Sequence, residues 1–509
     1  MNSTKDKIFS LEQLKNKIFL EKKRKKTIVH CHGVFDVLHY GHIKHFKSAK
    51  KNGDFLIVSI TSDEFVNKGK GRPIFNSLIR AEVLSSISSI DAVHINRDKT
   101  PINLIKQIKP NIYFKGPDYK KMTNDNTKNI IKEKQAVEKY GGLIKFSNDE
   151  TFSSSKIINN HLNIFNEKQK LFIQNISKKY GFKKIKEYVD RLKKLNVLLL
   201  GETIIDEYYF GDVIGKSGKE PHLVMSQKDK EIYLGGSAAV ANHLSSFCEK
   251  VNFLTYIGKD KESKNFIKKN LKKNIVPNFI LKKDGSTIIK KRYIDIVSKN
   301  KLLGVYKLND TSLDKTNELL LFKKIIKLMR KSDLILVTDY DHGMISAKNA
   351  KFISNKKNFF CLNAQVNASN LGYHSLRKYN NIDVLVINEN ELRHELRDRV
   401  SEIKILGLRL LKELKIKILV VTRGDNGAIL LNKKSSAIEC PAFASKIIDK
   451  VGAGDSMLAI ISMCLKAQIP DDLSLLLGSL AGADSVENIG NSNFINKNKL
   501  MRQLEFLIK

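Results

Sequence analysis

Asp449-Lys450-Val451-Gly452-Ala453-Gly454-Asp455-Ser456-Met457 leaves a short strand and enters an apolar run that continues to Leu465, so the spacing predicts strand, turn and helix. Glycines at 452 and 454 let backbone approach a phosphate. Unpaired N–H groups at the helix start favour the negative charge that develops when phosphate moves. Asp455 sits at that helix mouth. A carboxylate there suits a general base, taking the proton of a sugar hydroxyl as it attacks the terminal phosphate of ATP. The same residues also read as a glycine turn followed by a first-turn acid, a common structural device.

The stretch resembles the second signature of the ribokinase/PfkB sugar kinases, whose Gly-Ala-Gly-Asp segment carries an anion hole and a catalytic base. The resemblance assigns Gly452, Ala453 and Gly454 to the nucleotide phosphates and Asp455 to catalysis. Lys450 stands where that family commonly has Thr. It also implies ATP with Mg2+, room for a monovalent cation, and a homodimer formed through a small strand lid.

Working upstream, Thr422 and Gly424 in Leu419-Val-Val-Thr-Arg-Gly-Asp-Asn-Gly427 fall on the nucleotide side, although hairpin chemistry alone accounts for residues 425–427. Asn388 and Glu391, three apart at a strand-to-helix transition, resemble the family's Asn-x-x-Glu, which organises magnesium and phosphate through water. No direct metal ligand is expected, and a helix cap with an acidic first turn is the other reading. Asn363 to Asn370 is read as a polar loop without a role. Residues 333–339 predict a buried strand whose Asp339 joins the substrate contacts. In Tyr340-Asp-His-Gly343, His342 replaces a lysine of the heptose kinases.

Lys290 and Arg292, on a strand predicted over 287–294, align with basic residues of the heptose kinases; on an exposed strand they would be ordinary surface charge. Gly235-Gly-Ser-Ala-Ala-Val-Ala-Asn242 resembles the first kinase signature, in which Gly235 and Gly236 bring backbone against the sugar. The usual Asn is Ala239 here. Asn242 follows instead and is assigned to the substrate, so the acceptor is expected to differ from the best-known ones. Asp206, after the apolar run 197–200, resembles the acid that holds substrate hydroxyls, although such an Asp also forms turns.

The first third carries a second constellation. A strand predicted over 27–31 ends in His30-Cys-His-Gly-Val-Phe-Asp-Val-Leu-His-Tyr-Gly-His42, after which apolar residues recur at helical spacing. Two imidazoles at a helix start, His39 and His42, suit the charge at the α-phosphate of a nucleoside triphosphate during in-line attack. A metal site would need a third ligand that the spacing does not supply. A pair of capping histidines is the plain structural reading. The pattern resembles the nucleotidylyltransferases of the cytidylyltransferase superfamily, which assigns Gly33 and Phe35 to the nucleotide.

Strands predicted over 54–60, 91–95 and 111–115, separated by helical segments over 78–87 and 103–108, imply a parallel sheet with its site at the strand C-termini. Lys68-Gly-Lys-Gly-Arg-Pro73, Arg80, Lys115-Gly-Pro-Asp-Tyr119 and Thr151-Phe-Ser-Ser-Ser-Lys156 match motifs of the bifunctional heptose kinase/adenylyltransferases of lipopolysaccharide synthesis. Arg80, Lys115, Ser153, Ser154 and Ser155 are thereby assigned to the nucleotide. A serine N-cap is the alternative for the last three.

A chain of 509 residues with 42% hydrophobic content allows two substantial cores, and no apolar run reaches membrane length. The charged first 26 residues lack the apolar core of a signal peptide, so no membrane insertion and a cytoplasmic location are expected. Five widely spaced cysteines read as reduced core thiols. A formal charge of +37 would suit nucleic acid, but the lysines are spread through every segment and Trp is absent. No nucleic-acid partner is expected; a basic surface also suits anionic sugar phosphate and nucleotide substrates.

The expectation is therefore two α/β domains: a basic leader over 1–26, a Rossmann-like nucleotidylyltransferase domain over 27–165, a linker with one or two helices over 166–194, and a ribokinase-like α/β/α domain with a small β lid over 195–509. This reverses the order of the bifunctional heptose enzymes. The expected activities are ATP-dependent phosphorylation of a heptose-type sugar or sugar phosphate, and nucleotidylyl transfer from ATP or CTP with release of pyrophosphate, for surface polysaccharide or lipopolysaccharide. The alternative keeps only the nucleotidylyl transfer, with the kinase-like domain binding sugar or regulating.

Overall fold

Apolar runs without alternation, such as Val197-Leu-Leu-Leu200 and Leu334-Ile-Leu-Val337, are buried throughout, as strands covered by helices on both sheet faces require. The computed structural model describes residues 7–66, 72–117, 129–147, 165–282, 285–366, 370, 376–433 and 437–508. The chain divides into two units, one taking residues up to Asn166 with Met501–Leu507, the other Glu167–Leu500.

The first unit is Rossmann-like. It is built on β1 (Ile28–Gly33), β2 (Phe55–Thr61), β3 (Ala92–Asn96), β4 (Ile112–Lys115) and β5 (Leu143–Phe146), all parallel in the order β3-β2-β1-β4-β5. Alternate residues serve different cores. Ile28, Phe55 and Ile57 pack with Leu14 and Ile18, whereas Val29, Leu56 and Val58 pack with Phe46 and Leu84. Leu14 and Ile18 come from the basic leader, which supplies the helix Leu11–Lys23, started by a Ser10–Gln13 capping box. The strand order reverses between β1 and β4, which makes the strand C-termini there the natural place for a ligand.

The second unit is ribokinase-like. It begins with β6 (Asn196–Gly201), sends out β7 (Thr203–Lys216) and β8 (Leu223–Gly236), and returns with β9 (Lys250–Ile257) and β10 (Ile275–Leu281). β11 (Ile288–Asp295) and β12 (Lys301–Lys307) leave again. β13 (Leu334–Asp339), β14 (Phe359–Ala364), β15 (Val384–Asn388), β16 (Ile418–Thr422), β17 (Ala428–Asn432) and β18 (Ile438–Cys440) complete it. The main sheet has nine strands in the order β10-β9-β6-β13-β14-β15-β16-β17-β18, in which β17 pairs antiparallel with both β16 and β18. The lid is a separate four-stranded sheet, β12-β11-β7-β8.

The 14-residue lid strands β7 and β8 exceed what the sequence announces, because their outer halves are polar and joined without an Asn-Gly turn. Glu167–Arg191, expected as part of a linker, is a helix bent at Gly181 that buries Ile173, Ile176, Ile185 and Val189. All five cysteines are buried and free. Among the described residues no helix is long and apolar enough to cross a membrane.

Candidate active sites

In the first unit, Gly33 ends β1 against the ring of Phe35, where a Cβ would stand 2.9 Å from Cζ, and Phe35 itself takes φ of +47°. That ring meets His42 edge-on at 5.5 Å. His39 is the N-cap of the helix Tyr40–Lys50. Its Nδ1 accepts from the Gly41 N–H (3.1 Å), and His42 Nδ1 accepts from the His39 N–H (3.4 Å). The two imidazoles stack at 3.9 Å. With Nδ1 accepting, a neutral ring carries its proton on Nε2, so capping and donation to a phosphate are compatible. Burial holds His39 below its ordinary pKa.

Arg80, expected at the nucleotide, is wholly buried. It donates to the carbonyls of Val34 (2.6 Å), Thr61 (2.9 Å) and Phe75 (2.9 Å) and pairs with Asp63 (2.6 Å). It fixes the loops after β1 and β2. Asp36 does similar work, accepting from the Ile74 and Phe75 N–H groups and pairing with Arg72 at 2.5 Å. Lys115, also expected at the nucleotide, ends β4 in a buried pair with Glu133 (2.9 Å), which accepts from the Tyr113 hydroxyl as well. Ser153, Ser154 and Ser155 lie outside the described residues, as do residues 68–71 and 118–119.

In the second unit, Asp455 lies in the first turn of the helix Ala453–Lys466, whose N-cap Gly452 takes φ of +87° and whose missing Cβ would overlap Asn491 Oδ1. Asp449 anchors this loop. It accepts from the Val451 and Gly490 N–H groups and the Tyr208 hydroxyl, and pairs with Lys301 (2.6 Å). The Tyr340 hydroxyl donates to Asp455 Oδ1 at 2.9 Å. Burial pushes the Asp455 carboxyl up to about 6, the Tyr340 bond opposes this, Asp206 adds to it and Lys290 opposes it.

Asp206 pairs with Arg292 across β7 and β11, and faces Lys290 in the strand register. Gly235 passes so close that a Cβ would overlap Asp206 Oδ2, while Gly236 takes φ of +54° against the Glu202 carbonyl. Burial lowers the pKa of Lys290 and Asp206 raises it, with Arg292, Asp455 and Asp310 contributing further. Lys290 thus feels both Asp206 and Asp455, while Arg292 is tied to Asp206 by the ion pair.

Two expected substrate residues stand elsewhere. Asn242 is buried, its amide donating to the Asn270 carbonyl (3.1 Å) and its oxygen accepting from the Lys272 N–H (3.1 Å), so it holds a connection rather than joining Asp206. Asp339 is buried between the Lys378 ammonium (2.6 Å) and the Tyr379 hydroxyl (2.7 Å).

Asn388 and Thr422 are register partners at the C-terminal ends of β15 and β16. Asn388 and Glu391 form a reciprocal capping box at 2.8 Å in both directions, and Glu391 also accepts from the Val366 N–H. Gly424 takes φ of +55° with open space beside it.

Sequence reasoning passed over Glu202, Asp310 and the side chain of Tyr340. Glu202 is wholly buried, and burial with Asp339 nearby pushes its carboxyl up to about 7. An acid directly after a buried strand was the available signal. Asp310 bonds His342 Nδ1 (2.6 Å), while His342 Nε2 is buried with no partner among the described residues.

Residues 194–498 match the model of the pfkB family carbohydrate kinases, and residues 30–160 match a cytidylyltransferase-like model. Among curated relatives, the bifunctional protein HldE of Syntrophotalea carbinolica is 36% identical over 141 residues, 27% of this chain and 27% of that protein. HldE of Helicobacter pylori is 39% identical over 160 residues, 31% and 32% of the two chains. HldE of Psychromonas ingrahamii is 28% identical over 304 residues, 59% of this chain and 62% of the relative. Each alignment thus spans less than two thirds of the relative. The second unit resembles phosphofructokinase-2 of Escherichia coli solved with substrates and products, at a TM-score of 0.51 and 15% identity, covering 62% of this chain and all of that one, a likeness of fold alone.

Proposed function

We propose, because the chain belongs to the pfkB family of carbohydrate kinases, that its second unit transfers a phosphoryl group from ATP to a heptose-type sugar or sugar phosphate. We further propose that the first unit transfers a nucleotidyl group from ATP or CTP to a sugar phosphate, releasing pyrophosphate. The product is a nucleotide-activated sugar for surface polysaccharide or lipopolysaccharide, made by domains in the reverse of the heptose enzymes' order. One observation carries the kinase reading: a half-buried aspartate at a glycine-bounded helix start, beside a buried cluster of one acid and two cations.

In the kinase step, Asp206 and Arg292 orient the acceptor sugar and Asp455 removes the proton from the attacking hydroxyl. Gly452, Ala453 and Gly454 present backbone N–H groups to the transferring phosphoryl group. Asn388 and Glu391, an amide and a carboxylate held together at the C-terminal end of β15, would hold Mg2+ through water, oxygen ligands being what that cation takes. When bound, Mg2+ neutralises charge on the nucleotide phosphates. In the other unit, His39 and His42 donate from Nε2 to the α-phosphate while a sugar phosphate oxygen attacks, and Arg80 positions the surrounding loops rather than touching nucleotide.

Exposed apolar residues on the lid, Ile214, Leu223, Leu303 and Val305 among them, support a homodimer through that sheet. A second reading, nucleotidylyl transfer alone with a sugar-binding kinase-like unit, draws on Ala239 and on Asn242 being engaged elsewhere.

The purified chain is tested against heptose, hexose and polyol phosphates with ATP and with CTP, following ADP and pyrophosphate separately. Loss of ADP formation by about 100-fold or more in Asp455→Ala supports the kinase reading; unchanged ADP formation defeats it and leaves the second reading.

A further inference from the structure

Tyr340 directly follows β13, and its backbone is clamped from both sides. Its N–H donates to Glu202 Oε2 at 3.0 Å, and its carbonyl accepts from the Asn370 side-chain amide at 3.3 Å. Glu202 also accepts from the Met344 N–H at 3.3 Å, so one wholly buried carboxylate ties down both ends of the turn over 340–344. Tyr340 is 2% exposed, and its hydroxyl reaches Asp455 Oδ1 at 2.9 Å. A buried phenol with a fixed backbone has few alternative rotamers, so the donor is preorganised toward a single carboxylate oxygen.

We propose that Tyr340 is a positioning residue for the kinase reaction: its hydroxyl holds Asp455 in one rotamer, leaving the second carboxylate oxygen for the sugar hydroxyl, and tunes the basicity of the aspartate. The inference rests on Asp455 being the base.

The sign of the tuning follows from the groups that face Asp455. Burial and Asp206 on β7 disfavour the ionised carboxylate, whereas Tyr340 and Lys290 on β11 favour it. Removing the phenol donor therefore makes the aspartate harder to ionise, raising its pKa from about 6. The base then loses its working form at neutral pH and regains it as pH rises. Phenylalanine keeps the ring and its packing and deletes the hydroxyl, with both its bond to Asp455 and its contact with the Thr338 side chain.

Two measurements on the full chain test this in Tyr340→Phe. One is the titration of the Asp455 carboxyl carbon by NMR, assigned by loss of its signal in Asp455→Asn. The other is the pH profile of ADP formation with whichever acceptor the wild type uses. Both midpoints should move up by about one pH unit, a tenfold change in the ionisation constant, with activity recovering at alkaline pH. An unmoved carboxyl titration, with activity reduced equally at every pH, would overturn the inference, as would loss of cooperative melting, which assigns Tyr340 to packing. Should Asp455→Asn itself keep forming ADP, the base reading falls instead, a distinct outcome.

Discussion

A residue's identity and its surroundings gave different information in this chain, and Arg80 and Asn242 show the gap. Arg80 occupies a motif position, yet its planar donor fork reaches three carbonyls and one carboxylate in a buried setting, which a lysine cannot reproduce. Arg80→Lys should cost about 3 kcal/mol and lower the melting temperature, with pyrophosphate release falling because the loops after β1 and β2 loosen. Calorimetry together with the pyrophosphate assay checks it; full stability with weakened nucleotide binding would return Arg80 to the ligand. Asn242→Ala should likewise lower the melting temperature by removing two partly buried hydrogen bonds, while the sugar KM stays within about twofold. The helix starts that carry His39, His42 and Asp455 were legible because turn glycines and helix starts are written locally. Burial was not, because it depends on residues distant in the chain, such as Asp63 for Arg80 or Lys272 for Asn242.

At the level of elements, central strands such as β2, β6 and β13 could be read because their apolar runs lack alternation, whereas of the lid strands only β11 was legible, as the strand predicted over 287–294. A sheet with an exposed face interleaves Lys, Asp and Gly with its apolar residues, so the outer parts of β7 and β8 carry little strand signal. The leader posed the opposite difficulty. Its lysines and glutamates dominate its composition, but Leu14 and Ile18, four apart, form the buried stripe that caps one face of β1 and β2. Truncating that stripe tests whether the leader is structural. Leu14→Ala should cost about 3 kcal/mol and speed amide exchange in β1 and β2, the usual result of opening a cavity in a packed core. A loss below about 0.5 kcal/mol would mean the leader merely decorates the first unit.

For the whole molecule the question is what a net charge of +37 does. Much of it is lysine spread over exposed positions, with some neutralised locally in pairs such as Lys26–Glu21 (2.6 Å) and Lys417–Asp383 (2.6 Å). Charge of this kind acts through the screened field of the surface, which collapses over a Debye length of about 10 Å at 0.1 M salt. The cations beside Asp206 differ. Lys290 and Arg292 are largely withdrawn from solvent and interact with Asp206 across β7 and β11, where counterions have little access. The two populations should therefore separate under salt. Raising ionic strength from about 0.05 M to about 0.5 M should abolish filter retention of DNA, because non-specific binding depends on counterion release. The same change should shift the sugar KM of the kinase reaction by no more than about threefold, because the buried cluster is weakly screened. DNA retention that survives high salt would instead point to a built nucleic-acid surface. A sugar KM that tracks salt as steeply as DNA binding would mean that surface lysines, not Lys290 and Arg292, hold the substrate.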